Sequence, residues 1–261
     1  MRKLSFLTVV VSFLLLALSS IGWAQTISSQ KGLTTAIFST EFGKIKMYLP
    51  DDIRPGDLIS GTVVTEPNGN STKQIKKNLA ELSNYTFSID GSKYSIDDRQ
   101  GWSWQLKQDR KMTASLELIN KSGVVTALLP LQLKESVKQA SSTRCVIPSH
   151  ALTGSPMRIS GNFDGDAANT KVSINNQQAA ILAESPGDCF VSFPLSATGT
   201  QTIRVNENGK EPCLKNISAV DLQVSVPKTN LLRGEKTTLT VAVSGLQNLT
   251  DTAVLTLRNN T

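Results

Sequence analysis

The sequence predicts an all-β protein made of β-sandwich domains in tandem, the first of which carries one inserted helix. Three glycine turns support this prediction, because each leads into a run of alternating apolar and polar residues. The turns are Pro55-Gly56-Asp57, Thr153-Gly154-Ser155 and Arg233-Gly234-Glu235. A turn that feeds an alternating strand about every 80 to 100 residues is typical of consecutive sandwich domains.

The composition favours sandwiches with aliphatic cores. Aromatic residues make up only 5% of the chain, whereas valine, isoleucine, leucine and threonine alternate in many short runs. The formal net charge is +6, and the basic residues are dispersed along the sequence. Nucleic-acid binding needs a concentrated basic stripe with stacking aromatic residues, so the sequence argues against a nucleic-acid partner.

Residues 1–24 predict a signal peptide that is cleaved before Gln25. A short basic start precedes an apolar stretch from Leu4 to Leu18, and Gly22-Trp23-Ala24 offers small residues where signal peptidase cleaves. A membrane anchor is the alternative, but the stretch is shorter than the roughly 20 residues of a bilayer span, and no basic cluster follows it. We therefore expect an exported chain, secreted or at the cell surface, with no transmembrane span after cleavage.

Residues 25–135 are predicted to form the first β-domain. Residues 44–49 alternate between lysine or tyrosine and apolar side chains, which indicates a strand with one wet face. Asp90-Gly91 lies between two short β-type runs and predicts a tight hairpin.

One helix is predicted within this domain, over about residues 71–83. Ser71 and Gln74 have the spacing of a capping box, in which each side chain accepts a hydrogen bond from the main-chain N–H of the other residue. The apolar face that follows at helical spacing consists of Ile75, Leu79 and Leu82.

Residues 136–144 are polar and predict a linker, after which residues 145–213 form the next domain. Its motifs occur in a fixed order: Leu152-Thr153-Gly154-Ser155, Ile159-Ser160-Gly161-Asn162-Phe163, Val172-Ser173-Ile174, Phe190-Val191-Ser192-Phe193 and Thr202-Ile203-Arg204-Val205. This order resembles the IPT/TIG family over roughly residues 148–209. The resemblance implies an immunoglobulin-like sandwich in a protein of the bacterial envelope, and it implies no enzymatic activity.

Residues 214–261 are similar to the first half of a bacterial immunoglobulin-like domain. A whole sandwich of this type takes about 100 residues, so this half would expose an apolar face. We expect the chain to be a fragment of a longer protein; docking of this tail on the preceding domain or on a partner is the alternative.

The three cysteines are Cys145, Cys189 and Cys213, and export makes a disulfide possible. Cys189 and Cys213 bracket what looks like a hairpin, and in an antiparallel pair the start of one strand lies beside the end of the other. We therefore predict a Cys189–Cys213 disulfide, with Cys145 at the opposite end of the domain. Three unpaired thiols are the alternative.

Trp102 and Trp104 are two residues apart and share one face if they lie on a strand. If exposed, the two indoles would form a platform on which sugar rings stack. If buried, they fill the core of the first domain, which is the commoner arrangement.

No catalytic, cofactor-binding or metal-binding motif is complete in the sequence. The chain has a single histidine, His150, which excludes two-histidine zinc motifs, and it lacks the glycine motifs of acyl-enzyme and nucleotide chemistry. Asp164-Gly165-Asp166 resembles a fragment of a calcium loop but lacks the other carboxylates of an EF-hand, so we expect a plain turn there. We predict no metal and no cofactor.

The sequence therefore predicts a secreted or cell-surface, non-enzymatic protein with a structural, adhesive or protein-contacting role, whose partner is an extracellular protein or polysaccharide. The alternative is a glycan-binding accessory module of a polysaccharide-utilisation system, with Trp102 and Trp104 as its platform. A catalytic domain beyond Thr261 is a third possibility.

Overall fold

The structure, a computed structural model, describes residues 22–23, 25–30, 32–96, 101–106, 113–134, 144–227 and 236–246. Within these ranges the chain forms many short strands and one helix, which confirms the predicted all-β class. None of the described helical residues forms a helix long and apolar enough to cross a membrane. Most of the predicted signal peptide and residues 136–143 of the predicted linker lie outside the described residues.

The N-terminal part contains one helix and eleven strands among the described residues. Their bounds are β1 Gly22–Trp23, β2 Gln25–Gln30, β3 Leu33–Thr40, β4 Gly43–Pro50, β5 Leu58–Gly61, β6 Val63–Pro67, α1 Thr72–Leu82, β7 Thr86–Ile89, β8 Ser92–Ser95, β9 Trp102–Gln105, β10 Thr113–Ile119 and β11 Val125–Gln132. The strands form one sheet in the order β2-β3-β4-β6 and another in the order β1-β11-β10-β7-β8. The apolar side chains of β4 are buried, as the alternation predicts.

The predicted hairpin at Asp90-Gly91 is confirmed, because β7 and β8 pair antiparallel on either side of these two residues. Both residues have positive φ angles, 54° and 87°, as a type I′ turn requires.

The predicted helix is also confirmed, although its buried face differs from the expected one. The Ser71 hydroxyl accepts a hydrogen bond from the main-chain N–H of Gln74 at 3.3 Å, so the N-cap forms as predicted. Ile75 and Leu79 are 40% and 36% exposed, whereas Asn78 and Leu82 are buried. The helix is rotated so that the Asn78 amide reaches the main-chain oxygen of Asn68, 2.8 Å away.

The C-terminal part is a two-sheet sandwich of ten strands in the described residues. Their bounds are β12 Cys145–Val146, β13 His150–Leu152, β14 Pro156–Gly161, β15 Thr170–Ile174, β16 Gln177–Ala179, β17 Ile181–Ser185, β18 Asp188–Ser192, β19 Thr200–Glu207, β20 Cys213–Ser225 and β21 Thr240–Ser244. One sheet contains β12-β14-β18-β17, and the other has the order β13-β20-β19-β15-β16. Ile159 and Val191 of the first sheet and Val172, Ile203 and Val205 of the second share one buried cluster.

One sheet of this sandwich continues into the N-terminal part. β17 pairs antiparallel with β5, and β9 extends the sheet on the far side of β5. Ala183 is opposite Gly61 and Glu184 is opposite Ser60. The main-chain N–H of Thr62 donates to the Leu182 carbonyl at 3.0 Å. The two hydrophobic cores therefore share a continuous six-stranded sheet.

Gly165, in the loop after β14, packs against β5 at the same junction. Its φ angle is +89°, and a Cβ atom built there would lie 1.9 Å from the main-chain oxygen of Leu58 in β5. Only glycine lets the loop after β14 pass this close to β5.

Gly165→Ala should therefore destabilise the protein much more than Gly91→Ala. Gly91 has a similar φ of +87° but nothing within 4 Å of its added Cβ, so its alanine variant carries only the backbone cost of about 1 kcal/mol. We expect Gly165→Ala to lose a further 1 to 3 kcal/mol, roughly, from overpacking. Urea unfolding of both variants measures the difference, and equal losses would contradict the close contact.

Candidate functional site

The predicted Cys189–Cys213 disulfide is wrong. The structure joins Cys145 to Cys213, and Cys189 is a buried free thiol. The hairpin assumed from the sequence does not form, because β18 and β19 belong to opposite sheets and the chain between them crosses from one sheet to the other. Cys145 lies on β12 and Cys213 on β20, so the disulfide links the two sheets of the sandwich.

Thiol titration of the unreduced, denatured protein should find one reactive thiol, and Cys189→Ser should remove it. Cys213→Ser should release a second thiol and destabilise the protein by about 4 kcal/mol, because the bridge closes a 68-residue loop. Peptide mapping that recovers Cys189 linked to Cys213 would contradict this assignment.

Trp102 and Trp104 do not form an exposed platform. They are 3% and 5% exposed and belong to the N-terminal hydrophobic core. The ring of Trp102 meets Phe87 edge to face, with 6.3 Å between the centroids. The platform hypothesis fails because the shared face of β9 points into the core.

A polar groove nevertheless reaches Trp102. It has a volume of about 410 Å³ and lies between β5, β9 and the C-terminal sandwich, where Ser60, Thr62, Ser103 and Gln178 line it. The Nε1 atom of Trp102 is buried and, among the described residues, has no hydrogen-bond partner.

The antiparallel ribbon of β20 and β21 exposes an apolar face. Leu222 is opposite Val243 and Val224 is opposite Val241, so these side chains point to one side. We call Leu222, Val224, Val226, Val241 and Val243 the ribbon face. Four of them are exposed by 37 to 53%, and Val241 is half-buried. Residues 247–261 of the predicted half-domain lie outside the described residues.

Three acidic residues meet between the two sheets of the C-terminal sandwich. Asp164 lies in the loop after β14, Glu184 on β17 and Glu207 at the end of β19. One carboxylate oxygen from each lies within 4.8 Å of the other two. We call these residues the carboxylate cluster. Asp164 is exposed, whereas Glu184 and Glu207 are only 0% and 3% exposed.

Glu207 is the best-paired member of the cluster. Its Oε1 accepts hydrogen bonds from the Lys210 ammonium at 2.6 Å and from the main-chain N–H of Asp164 at 3.0 Å. The Arg144 guanidinium lies 2.9 Å from Oε2, close enough for an ion pair but not aligned as a hydrogen bond. Two cations therefore balance part of the negative charge of the cluster.

Glu184 is less well paired. Its Oε1 accepts a hydrogen bond from the Thr170 hydroxyl at 3.3 Å, and the thiol of Cys189, a weak donor, interacts with the same carboxyl group. Its Oε2 is buried and accepts no well-formed hydrogen bond among the described residues. Burial raises the pKa of Glu184 to about 7; the hydrogen bond from Thr170 acts in the opposite direction, and the nearby carboxylates Asp164 and Glu207 act in the same direction as burial. Burial also raises the pKa of Cys189.

Because of Glu184, the free energy of unfolding should fall as the pH rises towards 7. Its pKa is about 7 when folded and about 4.5 when unfolded, so the folded state keeps a proton that the unfolded state releases. The stability present below pH 4.5 is thus lost as the pH rises through 7, by up to about 3 kcal/mol. EDTA is added so that no metal ion contributes. Under this condition, the free energy of unfolding of Glu184→Gln should gain on that of the wild type from pH 4.5 to 7, and the difference should then stay constant. An advantage that is equal at pH 5 and pH 8 in urea unfolding would contradict this pKa.

Sequence reasoning found one member of the cluster and missed two. Asp164 was singled out as part of an incomplete calcium loop, but Glu184 and Glu207 lie 20 and 43 residues further along the chain. The alternation of β19 contained a signal, because Ile203, Val205 and Glu207 share the inward phase of the strand.

Comparisons with known proteins give weak likenesses. The sequence matches no known protein family and no curated protein. Among solved structures it is similar to SGBP-B of the Bacteroides ovatus mixed-linkage glucan utilization locus in complex with a mixed-linkage heptasaccharide, at 12% identity and a TM-score of 0.27. That match covers 74% of this chain and 54% of the other, so the chain spans about half the length of SGBP-B.

Two further structures are similar at 12% identity. The ICAM-5 D1–D4 ectodomain fragment matches over 80% of this chain and 67% of its own, with a TM-score of 0.22. Sidekick-1 immunoglobulin domains 1–4 match over 76% and 60%, with a TM-score of 0.24. The function has to be argued from the residues of this chain.

Proposed function

We propose that this protein is an exported, non-enzymatic, modular β-sandwich protein of the bacterial envelope that contacts another protein through its ribbon face. The observation that carries the proposal is the exposure of Leu222, Val224, Val226 and Val243 on one side of β20 and β21. Contiguous exposed apolar side chains mark protein-contact sites in soluble proteins. The IPT/TIG resemblance supports the envelope setting.

Two further features support a protein partner outside the cell. β21 pairs only with β20 among the described strands, and an edge strand is where a strand of a partner pairs. The Cys145–Cys213 disulfide fits an oxidising compartment, where such bonds persist. A partner strand could form main-chain hydrogen bonds with the edge of β21 while its side chains cover the ribbon face, so a β-rich partner fits this surface.

A photo-crosslinking residue at position 224, on the ribbon face, tests the proposal in the organism that exports the protein. The control carries the same residue at position 223, which points to the opposite side of the ribbon. A second protein should be captured from position 224 and not from 223. Crosslinks only within the chain or only to another copy of it, or no crosslink, would contradict the proposal.

Binding of the captured protein to the purified chain should then weaken at least tenfold in the double variant Leu222→Lys and Val243→Lys. The matched control is Gln223→Lys with Ala242→Lys, because these residues are opposite each other on the other side of the ribbon and are also exposed. Equal binding by both double variants would show that the ribbon face is not the contact surface.

The groove beside Trp102 favours a second candidate function, the binding of a glycan. The hydroxyl and amide side chains that line it, among them Thr62, Ser103 and Gln178, offer the hydrogen bonds that sugar hydroxyls form. Gln178 is exposed on the wall of this groove. A glycan array would favour this candidate if a bound polysaccharide is lost in Gln178→Ala, whereas no binding by the wild type would reject it.

A further inference from the structure

The carboxylate cluster carries more negative charge than its side-chain partners balance. Asp164, Glu184 and Glu207 contribute three carboxylates, and Asp166 adds a fourth beside them, since the Asn169 amide donates to both Asp164 and Asp166. The cations that contact the cluster are Arg144 and Lys210, both through Glu207. With all carboxylates ionised, these six groups carry a net charge of −2.

The cluster also contains a buried oxygen that points to a missing ligand. Oε2 of fully buried Glu184 accepts no well-formed hydrogen bond within the described part of the chain, although a buried carboxylate oxygen without a partner is costly. Glu207 Oε2 is likewise buried without a hydrogen bond, and it faces Arg144 only as an ion pair. Asp164 provides an exposed carboxylate beside both, through which the site reaches solvent.

The loop that carries Asp164 is also held in place by hydrogen bonds to Ser60. The Ser60 hydroxyl donates to the Gly165 carbonyl at 2.8 Å and accepts from the main-chain N–H of Ala167 at 2.7 Å. The main-chain N–H of Asp166 donates to Oδ1 of Asp164 at 2.8 Å. Ser60 belongs to β5, so the N-terminal part of the chain positions one member of a site whose other two members lie on β17 and β19.

We propose that Asp164, Glu184 and Glu207 bind a divalent cation, specifically calcium, between the two sheets of the C-terminal sandwich. All three donors are oxygens, which suit calcium and magnesium, whereas zinc favours nitrogen and sulfur ligands. Calcium binds oxygens at about 2.3 to 2.6 Å, so two oxygens on opposite sides of one ion are at most about 5 Å apart. The three carboxylate oxygens lie within 4.8 Å of one another, which fits this span. Magnesium demands near-ideal octahedral geometry and keeps several of its waters, so a site with two buried carboxylates suits calcium better.

The bound ion would fasten three separate segments to one another. It would connect β17, β19 and the loop after β14, and through Ser60 it would stiffen the junction with β5. This role does not depend on the partner of the ribbon face.

Calcium titration of the full chain at pH 8 tests the proposal, with calorimetry and thermal unfolding as the two measurements. At about a hundredfold excess over the Kd, calcium should raise the Tm by roughly 5 to 10 °C relative to EDTA. Magnesium at the same concentration and ionic strength should have a much smaller effect.

Glu184→Gln should fold in EDTA and lose most of the calcium-dependent rise in Tm, because the amide fits the buried position without the charge. Asp164→Asn should weaken calcium binding at least tenfold. The matched control is Glu66→Gln, which removes an exposed carboxylate that pairs with Lys46 and leaves the cluster intact. A wild type with the same Tm in calcium and EDTA and no binding heat would overturn the proposal, as would a full calcium response in Glu184→Gln.

Discussion

The main-chain pairing between β5 and β17 is the interaction on which the rest of the structure depends. It makes one sheet out of strands that come from two parts of the chain more than 100 residues apart. The two strands approach unusually closely at Gly61, where a Cβ atom would lie 2.6 Å from the Leu182 carbonyl. Glycine at this position therefore permits the pairing. A separate buried cluster of Leu33, Leu182, Ala183 and Phe190 covers the pairing on one side.

The same pairing brings the carboxylate cluster together. Glu184 lies directly opposite Ser60, and Ser60 holds the loop that carries Asp164 through two hydrogen bonds. Glu184, a carboxyl group with no exposure, is therefore surrounded by groups from both parts of the chain. The ribbon face is different, because β20 leaves the sandwich after Val220 and from Asp221 onward pairs with β21 alone among the described strands. The carboxylate cluster thus lies between sheets, where both parts of the chain meet, while the ribbon face is exposed.

The local features of the fold could be predicted from the sequence, because each depends on residues close together in the chain. Alternation identified β4, Ser71 identified the start of α1, and Asp90-Gly91 identified a hairpin. The errors concern how elements pack against one another, from the buried face of α1 to contacts between distant segments. The proposed Cys189–Cys213 pair assumed that β18 and β19 are neighbours, but the chain crosses to the other sheet between them. The cluster was missed because its members share a neighbourhood only after the two sheets close over each other.

Hydrogen exchange at the β5–β17 contact tests this account most directly. The main-chain N–H of Thr62 lies at the end of β5, and its protection depends on the hydrogen bond to Leu182 in β17. We predict that peptides covering residues 58–62 and 181–185 exchange as slowly as β18, which lies inside the same sheet. Exchange of residues 58–62 at the rate of an exposed loop, with β18 still protected, would contradict a shared sheet.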